Sequence, residues 1–352
     1  MAAPGSRRIP VGLNVWSRLV ASTFPYLDQT AAPFDSLWFP DHVQYGSHAV
    51  AEGWTLLAWA LARYPDKLAG HEVLCNSFRN PAHLAKMMAT AQALSGGRDI
   101  LGIGAGWNRE EYLAYGWPFA VPSVRIAQLD EAIALIRALW SGAPAAFHGR
   151  HYAIADTYCE PRPEPIPPVM VGGSGEKHLL RVVAKRADWW NWTYKGREAY
   201  ARKREALQGH CREVGRDYDT IQHVIRVGIL IAETDAEIAR VKARPDTRSL
   251  DDIQLVGTPG QVTETLLDIV RQGAHQLTVN FADVPRAGRH APLRRARAAP
   301  SPGALAGARI RRGGGDARAR SGRGGDPGRS RSWGRARPSG CGWRRSGCCR
   351  TR

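Results

Sequence analysis

Eight short apolar runs, all but the last followed by a segment with helical apolar spacing, constrain the fold of this chain more than any other feature. The runs fall at 9–15, 37–39, 71–75, 100–105, 169–171, 187–192, 224–231 and 276–281. They are too short for core helices and are bounded by Gly, Pro, Asn and Asp, so they read as buried strands. Helices are expected at 22–32, 52–63, 81–94, 124–140, 177–185, 197–214 and 260–271. The fourth of these shows the pattern best, with Ile126, Leu129, Ile133, Ile136 and Leu139 on one face. Strict strand–helix alternation with right-handed crossovers closes most readily into a parallel (β/α)8 TIM barrel, which places binding groups at the C-terminal strand ends. An open doubly wound sheet is the alternative.

No eighth helix follows the last run. Beyond Phe281 the chain turns into a mixture of Arg, Gly, Pro, Ala and Ser that lacks the apolar content for a core and is expected to be disordered. The division expected is a barrel over 1–285 and a basic tail over 286–352. That tail carries 19 Arg, no Lys or Glu and two Asp, which accounts for the whole net charge of +17. The body holds 30 basic and 30 acidic residues, so nucleic-acid binding by the folded part is not expected. The tail has no regular RGG repeat and only Trp333 and Trp343 for stacking. The abrupt loss of Lys and Glu motivates the hypothesis that it is an out-of-frame reading of a GC-rich gene; if no other frame continues with an amphipathic helix, the idea fails.

No run reaches the roughly 20 apolar residues of a membrane helix, and the N-terminus lacks a secretory apolar segment, which predicts a cytoplasmic protein. Cys75, Cys159 and Cys211 are scattered and Cys341, Cys348 and Cys349 lie in the tail; without a CxxC pair, free thiols are expected. His71, His83 and His178 show no metal-ligand spacing.

The chemistry concentrates in three stretches. In ILGIGAGWNREEY (100–112) a strand runs into Gly104, Ala105 and Gly106, then Trp107, with Asn108 as expected N-cap and Glu110 and Glu111 in the first helical turn. Glycines at a strand end let a ligand approach the backbone, and a helix start offers free N–H groups. The GGSG run, Gly172, Gly173, Ser174 and Gly175, makes a second such turn, with a hydroxyl added. In FPDH the second strand stops at Pro40 and delivers Asp41 and His42. Asp188 and Asn191 flank the sixth strand, a usual place for polar groups of a barrel mouth, though no chemistry is assigned to them. Trp16, Trp38, Trp189, Trp190 and Trp192 fit the core, with one at a strand end free to wall a pocket.

Taken together, SLWFPDH, VLCNSFRNPAHLAKMMAT, LSGGRDILGIGAGWNREEYLAYGWPF, EPRPEPIPPVMVGGSGEKHLLRVVAKRADWWN and VGTPGQV resemble the luciferase-like monooxygenase superfamily, barrel enzymes that use FMN or the deazaflavin coenzyme F420. The likeness covers about residues 9–283. It implies an oxidoreductase that transfers hydride or activates oxygen on a small organic substrate, in a homodimer. A catalytically silent flavin-binding protein, or a barrel destabilised by losing its last helix, is the alternative. The resemblance further implies His42 as proton donor or base at the ring's reactive edge. It puts the phosphate at Gly172, Gly173, Ser174 and Gly175, with Gly104, Ala105 and Gly106 contributing, and Asp41 and Asn108 among the cofactor contacts. A third-strand bulge at Glu72 and Val73, often with a non-prolyl cis bond, would support the ring, Glu72 presenting backbone instead of charge. Arg79 would orient its loop or reach the phosphate. Trp107 stands where the sugar-phosphate dehydrogenase branch carries Glu, which points to an apolar substrate.

Overall fold

A computed structural model describes residues 8–15, 20–142, 144–243 and 253–282. Eight parallel strands close on themselves: β1 (Val11–Asn14), β2 (Ser36–Phe39), β3 (Leu68–His71), β4 (Asp99–Gly104), β5 (Val169–Gly172), β6 (Trp189–Thr193), β7 (Gln222–Ile231) and β8 (Gln276–Phe281). Each pairs with the next, and β8 returns to β1 with Leu277 beside Val11 and Val279 beside Leu13. The TIM barrel expected from the alternation is therefore the fold, and the open sheet is not. The basic tail, Trp16 and the three distal cysteines lie outside the described residues. So does any replacement for the last helix.

Outside the strands lie α1 (Val20–Thr30), α2 (Gly53–Arg63), α3 (Pro81–Ser95), α4 (Pro122–Ser141), α5 (Leu179–Arg186), α6 (Arg197–Glu213) and α7 (Pro259–Arg271). Local chemistry sets several of their ends. Asn80 accepts from the Ala82 and His83 N–H groups with Pro81 opening α3, and Gly96 ends it at φ +71°. Glu52, expected inside α2, is instead its cap and accepts from Trp54 and Thr55. Pro25 lies within α1.

Strand alternation sends Leu13, Leu37, Leu101, Ile103, Val169, Val171, Leu277 and Val279 outward into one continuous layer with the helices. Each fully buried side chain of this kind stabilises by roughly 1.5–3 kcal/mol. The inward residues form a second, smaller cluster of Trp38, Ile100, Met170 and Val224 that plugs the barrel. Trp38 fits because its neighbours are glycines. A Cβ on Gly12 would sit 2.4 Å from its indole nitrogen, and one on Gly70 3.0 Å from its ring. Trp190 and Trp192 face the helices instead, stacked on each other at 6.2 Å with Tyr200 beyond.

Four described elements stand outside the expected alternation. An antiparallel hairpin, Ala145–His148 with Ala153–Thr157, precedes the proline-rich connection, and its turn is held by Glu131, which accepts from the backbone of Arg150, His151 and Tyr152. A helix, Asp235–Lys242, and a strand, Leu255–Gly257, extend β7 beyond the ring. Cys75, Cys159 and Cys211 are buried free thiols. Among the described residues no helix is long and apolar enough to cross a membrane, and no cluster of His, Cys, Asp and Glu is arranged to hold a metal.

Candidate active site

Because all eight strands run the same way, their C-terminal ends meet at one mouth. The segments 40–42, 72–73, 104–108 and 172–175 all fall there, so His42, Gly104 and Ser174 share one end of the barrel. Asp188 does not: it precedes β6 at the opposite end, where it accepts from the Val169 N–H at 2.8 Å and from Arg137 at 2.7 Å. It ties two strands to α4, and the expectation of a mouth residue is corrected.

The third strand breaks as the resemblance implied. β3 ends at His71, the Glu72–Val73 peptide is cis, and a two-residue continuation, Leu74–Cys75, pairs with the last turn of β4. Glycine in β4 makes the break possible, since a Cβ on Gly102 would lie 1.8 Å from the His71 carbonyl oxygen. Val73 then wedges between the neighbouring strands; its methyls stand 2.7 Å from where a Cβ on Gly104 or Gly172 would be. The close approach that these two glycines allow is thus first of all the protein's own. Gly106 differs, combining φ +75° with a Tyr112 hydroxyl 2.1 Å from its Cβ position. That hydroxyl lies 2.9 Å from the Cys75 sulfur, and burial pushes the Cys75 thiol up to about 12, which leaves it inert as a nucleophile.

Glu72 turns its carboxyl into the barrel and away from solvent. One oxygen accepts from Asn191 and, at 2.8 Å, from Thr278; the other accepts from Asn14 at 2.7 Å. Burial raises its pKa above the usual carboxylate range against the opposing pull of Arg226. The carboxyl joins β1, β6 and β8 to the bulge.

Asp41 is likewise fully engaged. Its carboxylate takes both Nη groups of Arg79 at 2.7 and 3.0 Å and the Cys75 N–H at 2.9 Å, with no side-chain exposure. Arg79 also meets Glu52, so it orients the loop. His42, next in sequence, is held differently. Its Nδ1 lies 3.1 and 3.2 Å from the two oxygens of Glu111, which also accepts from the Val43 N–H at 3.2 Å. Glu111 is buried, and it sits in the short helix Arg109–Ala114 that Asn108 precedes. Asn108 occupies the N-cap position, but its side chain makes no capping bond, contrary to expectation. Sequence reasoning placed Glu111 only as a first-turn acid; the missing signal was its partner, 69 residues away.

Two aromatic rings surround the imidazole. Tyr45 and Trp107 stand 5.6 and 5.8 Å from it, both edge-on, and 6.5 Å from each other. Trp107 is 65% exposed, an unusual position for indole unless something covers it. Across the mouth, Ser174, Gly175, Glu176 and Lys177 are exposed, and among the described residues their backbone N–H groups find no partner. Gly173 makes this turn at φ +132°, where a Cβ would strike Leu179 at 2.1 Å. The Glu176 carboxylate is paired with Lys203 at 2.6 Å, so it does not repel an anion at the open donors.

Comparison with known proteins places this arrangement. Glucose-6-phosphate dehydrogenases named as F420-dependent are similar: that of Microbacterium testaceum is 32% identical over 203 residues, 56% of this chain and 60% of that protein. That of Mycolicibacterium smegmatis is 34% identical over 222 residues, 61% and 65%. The chain thus spans somewhat under two thirds of the length of these curated relatives. Among solved structures, an F420-dependent secondary alcohol dehydrogenase in complex with an F420–acetone adduct superposes with TM-score 0.69 at 18% identity, over 78% of this chain and 94% of that one. Monooxygenase RslO1 from Streptomyces bottropensis does so with TM-score 0.68 at 18% identity, over 85% and 98%. At these identities the structures speak for the fold alone. The sequence pattern described as luciferase-like monooxygenase matches residues 31–245, and on that match the chain belongs to the luciferase-like monooxygenase family.

Proposed function

We propose that this chain is an oxidoreductase that binds coenzyme F420, with FMN the alternative cofactor, and that it acts on a small apolar organic substrate. One observation carries the reading. A histidine fixed through Nδ1 by a buried carboxylate stands at the same barrel mouth as an exposed turn of unpartnered N–H donors. The curated relatives, named for F420, favour that cofactor.

The residues suit such a group. The open donors of 174–177, with the Ser174 hydroxyl, would hold its phosphate, as N–H nests do. Val73 and the backbone of 104–106 would support its ring, and Glu72 would take no part through its charge, which is spent inside the barrel. When bound, the ring supplies the hydride or oxygen chemistry. The protein supplies position and a proton. Glu111 engages Nδ1 and leaves Nε2 as the ring nitrogen that would give a proton to, or take one from, a substrate oxygen. Tyr45 and Trp107 flank that ring edge-on. Indole where a carboxylate would serve a sugar phosphate makes this an apolar subsite.

The test is titration of purified protein with F420 and with FMN, followed by turnover with apolar alcohols, ketones or enones against glucose 6-phosphate. Saturable cofactor binding and reaction with the apolar set are expected; a preference for the sugar phosphate sinks the substrate assignment.

A further inference from the structure

The inner wall of the barrel at β7 holds a cation whose hydrogen-bonding capacity the described fold leaves largely unused. On β7 the inward positions are 224, 226 and 228, since Val224 belongs to the apolar plug with Trp38, Ile100 and Met170. Arg226 therefore enters the barrel one layer nearer the mouth, in register with Thr193 of β6 and Thr278 of β8. Its Nε donates to Asn280 Oδ1 at 3.3 Å, and its Nη groups have no partner among the described residues. Asn280 follows Thr278 on the inward face of β8 and is 1% exposed, yet its Nδ2 is buried without a partner.

The carboxyl beneath does not neutralise this pair. Glu72 lies close enough to Arg226 to feel its charge, but its oxygens receive Asn14, Asn191 and Thr278, and no ion pair forms. Arg79 shows the contrast: its guanidinium is held by both oxygens of Asp41. A guanidinium has five N–H groups to satisfy, and the half-buried Arg226 spends one of them on Asn280, whose own amide N–H is a buried donor that would normally be satisfied. A fork of donors beside an unpaired amide N–H, both on the inward face of neighbouring strands, is complementary to a planar anionic oxygen group.

We propose that Arg226 and Asn280 form an oxyanion-binding wall of this site, which receives either a substrate carboxylate or enolate, or the ring oxygen of the anionic reduced cofactor. This rests on the function proposed above and adds to it the charge of the group bound. Combined with the Tyr45–Trp107 collar, the substrate arm describes an aromatic or alkyl acid rather than a neutral hydrocarbon.

The full chain is titrated with benzoate and, as the isosteric neutral control, benzamide, by tryptophan fluorescence; FMN and F420 are titrated oxidised and, anaerobically, reduced. The wild type should prefer the anionic member of at least one pair by about tenfold, the ratio that one charge-assisted hydrogen bond gives. Preference for benzoate identifies a substrate group; preference for the reduced cofactor identifies the ring. Arg226→Met should erase the preference and Arg226→Lys restore part of it, with melting by circular dichroism as the check on folding. If Arg226→Met does not fold, Asn280→Asp decides, since its added carboxylate should repel the anion. Ratios unchanged within about twofold in the folded variants overturn the inference, as does a wild type with no anionic preference. A wild type that prefers benzoate but binds neither cofactor upholds the wall and refutes the proposed function instead.

Discussion

At the scale of single residues, the proposed function turns on one imidazole and the carboxylate behind it. With His42 as the proton carrier, His42→Ala should slow turnover by about 10²–10⁴-fold, the usual worth of general acid–base catalysis, while cofactor affinity stays within a few fold. Glu111→Gln keeps the shape but not the charge, and a loss of about tenfold or more in kcat with little change in KM is expected. Equal activity of both variants and wild type would remove His42 from the chemistry. A second residue speaks for stability. Asp99 opens β4 at the end away from the mouth, where burial pushes its carboxyl up to about 8 against the weaker pull of the Ile100 N–H and Arg98. A folded pKa above the unfolded value means stability fully present below about 3.8 and lost as pH rises through about 8. Asp99→Asn should therefore raise the melting temperature at pH 8, by the equivalent of about 1–3 kcal/mol, and progressively less toward pH 4. A lower melting temperature at pH 8 contradicts this.

At the scale of elements, the bulge after β3 is the device that shapes the mouth, and glycines in other strands permit it. Gly102→Ala would drive a methyl into the His71 carbonyl, a backbone atom that has nowhere to rotate. A cost of about 1–3 kcal/mol is expected, with lower cofactor affinity because Val73 moves with the bulge; calorimetry and cofactor titration check both. The element order was legible in the sequence because the strands are apolar and several, β2, β4 and β5 among them, are closed by Pro or Gly, while α3 and α4 carry strong caps or spacing. The break at Glu72 and the mouth positions of His42, Gly104 and Ser174 were legible through motif wording. What was not legible depended on distant partners. Glu111 looks like any first-turn acid until His42 is folded against it, and Asp188 looks like a mouth residue until strand direction puts it at the other end. The hairpin Ala145–His148 with Ala153–Thr157 is largely exposed, so it lacked the apolar run that marks a barrel strand.

At the scale of the whole molecule, the barrel divides its work between ends. The plug of Trp38, Ile100, Met170 and Val224 seals the interior below a polar layer of Asn14, Glu72, Asn191 and Thr278, and the groups of the proposed site lie above. Two histidines in the helix-facing layer make the assembly acid-sensitive. Burial holds His71, stacked on Trp54, down to about 4, and His223, against Trp190, down to about 3. Depressed values mean stability present above the unfolded pKa near 6.5 and lost as pH falls through the folded ones. Urea midpoints should therefore fall between pH 6.5 and 4, and His223→Phe should flatten part of that slope; an unchanged slope would place the acid sensitivity elsewhere. The most direct test of the central claim, that this mouth holds a flavin-type cofactor by its phosphate, is titration of the purified chain with F420 and FMN beside Gly173→Val. The account predicts saturable one-to-one binding to the wild type and affinity at least about tenfold weaker in the variant, whose turn cannot keep its left-handed backbone. Failure of both cofactors to bind the folded wild type, or equal binding by folded Gly173→Val, would contradict it.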